Sequence, residues 1–174
     1  MAEHSYTSRR EMDSYDFHTA VTLLVPLGCL LLQAVIPKFI PKAEFVDLPL
    51  IAVIFFSVSR RSPVAGTMTG AVIGLMQDGL TNHPFGVFGI AKAVIGYVAA
   101  SIGFAIDVDN PLNRLVMNFV LSLMQSGLLW TISRMLLGDA TFRMSPGHEL
   151  IRATATAVVS VPIFFLLDRF RMRD

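Results

Sequence analysis

Long apolar stretches, separated by short charged or turn-forming segments, make up most of the chain. Residues 17–37 and 115–133 are each long enough to cross a bilayer unaided, since a transmembrane helix needs roughly 20 mainly apolar residues. The remaining stretches are shorter or interrupted by one charge. Together the pattern predicts six helices, which cover approximately residues 17–37, 45–59, 62–81, 84–106, 112–133 and 150–168. The predicted fold class is an all-α integral membrane protein, a compact bundle of six transmembrane helices.

Local signals define the ends of the helices in the middle of the chain. The second helix should be short, because its apolar core lies between Asp47 and Arg60, whose charges would extend to the membrane interfaces. Ser62 followed by Pro63 is typical of the first residues of a helix. Pro84 and Gly86 belong to the turn that follows the third helix.

Composition agrees with this pattern and excludes several classes of function. Of the 174 residues, 53% are hydrophobic and 16% are charged, and the mean hydropathy of +0.61 is above that of a soluble domain. We therefore expect a single multi-pass membrane domain over residues 1–174. The formal net charge of +1 argues against nucleic acid as a partner. The single cysteine, Cys29, excludes a disulfide framework or a multi-cysteine metal site within one chain.

The distribution of lysine and arginine predicts which helix ends face the cytoplasm. With the N-terminal tail, residues 1–16, in the cytoplasm, eight basic residues lie on the inner side and five on the outer side, while Lys92 lies at membrane depth. This bias favours a cytoplasmic location for both termini. Residues 134–149 would then form an external loop.

Short motifs that carry catalytic or metal-binding chemistry are incomplete in this chain. His148, Glu149 and Arg152 fit the H-E-x-x-H zinc motif, except that arginine, which cannot bind zinc, takes the last position. Residues 107–109 begin like a calcium-binding loop, but Leu112 and Asn118 stand where that loop needs glycine and glutamate. We expect no enzymatic activity, no metal and no cofactor.

Small residues form a regular row in the third helix. Gly66, Gly70 and Gly74 are four residues apart and therefore lie on one face, and Gly96 belongs to a looser row in the fourth helix. Such a face allows another helix backbone to approach closely, which promotes helix association in lipid. The helix on this face is either a neighbour in the same chain, which is the favoured interpretation, or a transmembrane helix of a partner protein.

Asp78, Lys92 and Gln125 are polar residues at membrane depth. A charge there costs about 2.5 to 3.5 kcal/mol on insertion scales, so it needs a partner or water. Asp78 and Lys92 lie on the two sides of the predicted turn, at depths that a lysine side chain can bridge, and we expect them to pair. The functional alternative is that they line a path for a substrate or an ion. Gln125 is expected to form hydrogen bonds between helices.

Residues 47–103 resemble the core of the rod shape-determining protein MreD family. The matching elements are an apolar helix ending in a basic pair and proline, a glycine-rich helix closing on G-L-x-x-D, a turn with P-x-G, and a helix containing G-Y. The positions that carry the resemblance are Arg60, Arg61, Pro63, Gly70, Gly74, Asp78, Pro84, Gly86, Gly96 and Tyr97. The resemblance gives no role to Lys92.

This resemblance implies a non-enzymatic membrane scaffold of the bacterial elongation (rod) complex in the cytoplasmic (inner) membrane. Its partner would be MreC and, through MreC, also MreB, RodA and a class B penicillin-binding transpeptidase. The implied role is cell-shape maintenance and lateral peptidoglycan synthesis. The resemblance also implies a fold similar to the substrate-binding components of energy-coupling-factor transporters.

Two other classes of function stay open at this point. One is a substrate-binding subunit of a small-molecule, vitamin-type membrane transporter, but such subunits dock through an A-x-x-x-A pattern in the first helix. Between Phe17 and Pro37 this chain has only Ala20 and Ala34. The other is a structural membrane subunit of a different complex, which composition alone does not distinguish.

Overall fold

A computed structural model describes residues 19–39, 45–81, 84–104, 110–135 and 145–169, and these residues contain six α-helices and no strand. The helices are α1 (Thr19–Phe39), α2 (Leu48–Arg60), α3 (Pro63–Leu80), α4 (Val87–Ile102), α5 (Pro111–Met135) and α6 (Pro146–Asp168). The prediction of an all-α fold with six helices is confirmed for this part of the chain. The N-terminal tail (1–16), the loop at 107–109 and most of the predicted external loop lie outside the described residues.

Capping residues define the start of α3, which falls where Ser62 and Pro63 predict it, and the start of α4, which is Val87 and not residue 84. The α3 helix begins at Pro63, and the Ser62 hydroxyl accepts a hydrogen bond from the Ala65 backbone N–H at 3.4 Å. The α4 helix follows Gly86, whose φ of 99° lies in the left-handed region that favours glycine. The turn at Pro84 and Gly86 therefore falls where the sequence predicts it.

The start of α6 differs from the prediction. The helix begins at Pro146 and not at residue 150, with Ser145 as its N-terminal cap residue. Residues 146–149 are therefore helical, and the segment between α5 and α6 is shorter than the predicted external loop. Pro146 takes the first helical position because its missing N–H costs no hydrogen bond there.

The α2 helix is the centre of the bundle. It has 13 residues, as expected for a short helix, and all of them from Pro49 to Ser59 are buried. The other five helices all pack against it. Since α2 contacts protein on every side, its apolar length need not match the thickness of a bilayer.

Successive helices run in opposite directions around α2. At one end of the bundle Gln33 of α1 accepts a hydrogen bond from the Leu48 backbone N–H (3.0 Å), and at the other end Arg60 donates to the Thr22 hydroxyl (3.4 Å). The α6 helix runs parallel to α2, since Thr156 lies beside Asp47 and the Phe164 ring packs edge-on against Phe55 at 5.1 Å. We call the two ends the Asp47 end and the Arg60 end.

The closest helix pair is α3 and α4, and glycines make that approach possible. A Cβ atom added to Gly70 would overlap the carbonyl oxygen of Lys92, and one added to Gly74 would overlap that of Phe88. Gly66 and Gly96 meet in the same way, backbone against backbone. The close approach of α3 and α4 agrees with the favoured interpretation of the glycine row, which is packing within the chain.

An ion pair fixes α5 and α6 to each other at the Arg60 end. The Arg114 guanidinium lies 2.6 Å from Asp168 Oδ2, and the arginine side chain is 2% exposed. The rings of Phe164 and Phe165 lie 5.5 and 5.4 Å from the guanidinium carbon. Such contacts combine charge pairing with the attraction of a cation for an aromatic face.

The outer surface is apolar, while charged groups lie inside. Large exposed hydrophobic side chains occur on α1, α3, α4, α5 and α6. Within the described residues, α5 and α6 are long and apolar enough to cross a membrane, and α2, α4 and the Leu24–Ile36 part of α1 are apolar but shorter. An apolar exterior of this extent is typical of a surface that faces lipid or protein and not water.

Candidate functional site

Three polar side chains, one each from α4, α5 and α6, meet at the carboxylate of Asp47. We call these three residues and Asp47 the Asp47 cluster. They are Asp47 at the start of α2, Lys92 of α4, Gln125 of α5 and Arg152 of α6. Lys92 Nζ lies 2.9 Å from Asp47 Oδ1 and 3.1 Å from Oδ2. Gln125 Nε2 donates to Oδ2 at 2.7 Å, and Arg152 Nη2 lies 3.5 Å from the same oxygen. One carboxylate therefore holds three other helices to α2.

Asp47 also caps the N-terminus of its own helix, α2. Its Oδ1 accepts a hydrogen bond from the Leu50 backbone N–H at 2.9 Å, and its backbone N–H donates to the Thr156 hydroxyl at 3.3 Å. The carboxylate stands at the positive end of the α2 dipole, where a negative charge is favoured. Pro49 in the first turn is compatible with this start.

The charged groups of the cluster are buried, so each depends on its partners for stability. The Asp47 and Lys92 side chains are 1% and 0% exposed. Removing two charges from water costs several kcal/mol, and only close pairing with further hydrogen bonds offsets that cost. Because the donors of the cluster fill the acceptor positions of Asp47, the arrangement suits a structural joint better than an ion path.

Asp78 binds backbone N–H groups and not the expected partner, Lys92. Its two carboxylate oxygens accept hydrogen bonds from the backbone N–H groups of Gly86 (2.9 Å), Phe88 (3.1 Å) and Gly89 (3.1 Å). These N–H groups belong to the start of α4, where Gly86 has no side chain to cap the helix. Asp78 of α3 therefore caps α4 from the neighbouring helix.

The expected ion pair between Asp78 and Lys92 is wrong. The backbone of Lys92 faces Gly70 on α3, so its side chain leaves α4 on the other side and reaches Asp47. Depth along the bundle axis does not decide the pairing, because it leaves open the direction in which each side chain points. The prediction that Asp47 extends to the membrane interface is also wrong, since its side chain is buried.

The glycine row is covered by α4. Gly66, Gly70 and Gly74 face the backbones of Gly96, Lys92 and Phe88, so no partner helix has access to that face in this structure. Of the two interpretations of the row, the geometry favours packing within the chain. A partner helix would have to bind elsewhere on the outer surface.

A further contact at the Asp47 end lies next to the cluster. The Ser126 hydroxyl donates to Glu149 Oε2 at 2.5 Å, which links α5 to the first turn of α6. Glu149 is thus part of a helix–helix contact. Among the described residues, no group of three or more His, Cys, Asp or Glu side chains is placed to hold a metal ion.

Sequence reasoning identified Lys92 and Gln125 but missed Asp47, Arg152 and Thr156 as their companions. The order Asp47, Leu48, Pro49 is typical of a capped helix start, but it does not show that other helices enclose the cap. Arg152 is one of the five basic residues assigned to the outer side, and nothing in the sequence places its side chain beside Asp47.

The fold and the cluster define a class of protein, the helical membrane protein with a charged interior and an apolar exterior. The chain matches the family of the rod shape-determining protein MreD over residues 16–171, and it belongs to that family. The resemblance found in residues 47–103 is thereby confirmed and extended to nearly the whole chain. Membership assigns the chain to membrane proteins with a role in rod shape determination.

Comparisons with curated proteins and with solved structures gave no match. The resemblance of the fold to the substrate-binding components of energy-coupling-factor transporters therefore stays a prediction.

Proposed function

We propose that this chain is a non-enzymatic scaffold of the bacterial elongation complex that binds MreC in the cytoplasmic membrane. Through MreC it acts with MreB, RodA and a class B penicillin-binding transpeptidase in cell-shape maintenance and lateral peptidoglycan synthesis. The observation that carries the proposal is the family match, which covers residues 16–171.

The use of the buried charges supports a structural role. Asp47 holds donors from α4, α5 and α6, and Asp78 holds the start of α4. Both carboxylates are engaged in fixing helices to one another. A rigid bundle of this kind can present a constant outer surface to a partner helix, whereas a carrier must open a path through its interior.

We propose further that all six helices cross the membrane, with both termini in the cytoplasm. The alternation of helix direction supports this topology, because it puts the start of α1 and the end of α6 at the same end of the bundle. The shorter α2 is surrounded by the other helices, and its neighbours α5 and α6 have the length to cross alone.

The partner would bind to a lipid-facing surface. Four valines provide a matched set of probes, since Val72 (α3), Val94 (α4), Val116 (α5) and Val158 (α6) are 37 to 56% exposed. Each would be replaced in turn by a photo-crosslinking amino acid in cells that produce MreC. Val53, which is fully buried, is the control.

The expected result is an MreC adduct at one or two adjacent helices and none from Val53. Adducts at none of the four exposed positions, with MreC present and the protein folded, would contradict the proposal.

A further inference from the structure

An apolar groove lies on the outer surface between α1 and α3. Thr22, Pro26 and Leu27 of α1 form one wall, Met68, Val72 and Met76 belong to the α3 wall, and Arg60 of α2 lies at one end. Its volume is about 390 Å³. Most of this wall is apolar, and Leu27, Met68, Val72 and Met76 are exposed on the outside of the bundle.

The groove offers a continuous apolar wall to a lipid. Met68 and Met76 are eight residues apart, which is roughly 12 Å along an α-helix. The side chains of this wall would contact one acyl chain along that length.

Arg60 gives the groove one polar end. Its Nη2 donates to the Thr22 hydroxyl at 3.4 Å, and no carboxylate among the described residues pairs with it. A guanidinium has five N–H donors in a planar fork that matches the oxygens of a phosphate. Arg60 is in the last turn of α2, at the end of the bundle, where a membrane protein meets the headgroup layer.

We propose that this groove binds an anionic phospholipid, with the phosphate on Arg60 and one acyl chain along α3 between Met68 and Met76. The positive charge of Arg60 selects lipids with a net negative headgroup over zwitterionic ones. The two methionines suit an acyl chain because their side chains are flexible and adapt to irregular apolar surfaces. The site requires a bilayer location, which the family supplies, and is independent of MreC binding.

Native mass spectrometry of the full-length protein tests this site. The protein in a neutral detergent would be titrated with phosphatidylglycerol or phosphatidylcholine that carry the same acyl chains. Arg60→Gln removes the charge, and Thr69→Phe fills the groove from its α3 wall. Arg169→Gln is the matched control, since Arg169 is an exposed arginine at the same end of the bundle but beyond α6.

The wild type and Arg169→Gln should bind phosphatidylglycerol more tightly than phosphatidylcholine. In Arg60→Gln this ratio of affinities should fall about tenfold, as expected for the loss of one charge-assisted contact. Arg60→Lys should retain part of it, and Thr69→Phe should weaken binding of both lipids. Equal preference in the wild type and Arg60→Gln would overturn the proposal.

If the groove variants keep their lipid but lose MreC in co-purification, the groove belongs to the partner and the lipid site is refuted. If they lose the lipid and keep MreC, the lipid site is supported and the scaffold proposal is unaffected. Failure of MreC binding in the wild type would contradict the scaffold proposal alone.

Discussion

Lys92 Nζ lies 2.9 Å from Asp47 Oδ1, although the two residues are 45 positions apart and belong to different helices. Both side chains are buried inside the bundle. This pair determines how α4 is placed against α2. It also explains why a lysine is tolerated in the middle of an otherwise apolar helix.

We expect the pair to contribute to stability as a unit. Asp47→Asn or Lys92→Met alone leaves one charge buried without its partner, which should cost about 3 to 5 kcal/mol in the free energy of unfolding in detergent. The double variant should recover about 1 to 3 kcal/mol of the summed loss. As a control, Asp78→Asn with Lys92→Met should be additive within about 0.5 kcal/mol. If the coupling energy between Asp78 and Lys92 is larger than that between Asp47 and Lys92, the pairing of Lys92 is misassigned.

The capping of α4 by Asp78 should be visible in backbone hydrogen exchange. In Asp78→Asn a single carbonyl oxygen replaces two carboxylate oxygens, so the loss should be about 2 kcal/mol. Exchange should accelerate at Phe88 and Gly89, whose N–H groups bind Asp78. In Asn110→Ala, which removes the acceptor for the Leu112 N–H, faster exchange should be confined to the start of α5. Unchanged exchange at Phe88 and Gly89 in Asp78→Asn would contradict the capping role.

Two glycines of α3 offer a direct contrast between close packing and open space. Gly70→Ala forces a Cβ into the backbone of Lys92, and it should cost about 1 to 3 kcal/mol by overpacking. Gly79→Ala meets no atom within 4 Å and should be neutral or stabilising by up to about 1 kcal/mol, because alanine favours the helix. Thermal unfolding of the two variants side by side measures the difference. Equal stability of the two would mean that α3 and α4 do not pack through this face.

The proposed topology can be checked by labelling. In a Cys29→Ser background, single cysteines at Ser5 and Ser145 should react with a membrane-impermeant reagent from opposite sides, with Ser5 in the cytoplasm. The Ser145 position is exposed at the start of α6. Labelling of both from the same side would rule out six crossings with an internal N-terminus.

The helices were largely predictable because hydrophobic runs and capping residues are local properties. Ser62 and Pro63 predict the start of α3, and the same order of residues at Ser145 and Pro146 starts α6. The assignment of residues 134–149 to the external loop leaves this second signal unused, so the predicted start of the helix is four residues late. The spacing of Gly66, Gly70 and Gly74 was enough to predict a close helix pair.

The partner of Lys92 could not be found from the sequence. Its depth was predictable, but the direction of its side chain depends on which face of α4 packs against α3, and that is a tertiary property. Asp47 had the appearance of an interfacial charge, because nothing local shows that α5 and α6 enclose the start of α2. The Arg114 contact with Asp168 was missed for the same reason.

If this chain is the proposed scaffold, it binds MreC and does not carry a small molecule. This is tested by the affinity of the purified protein in lipid nanodiscs for full-length MreC, together with a mass-spectrometric search for small molecules retained by the protein. We expect a complex of fixed stoichiometry with MreC. Tight retention of a vitamin-like molecule with no measurable affinity for MreC would contradict it and favour a transporter subunit.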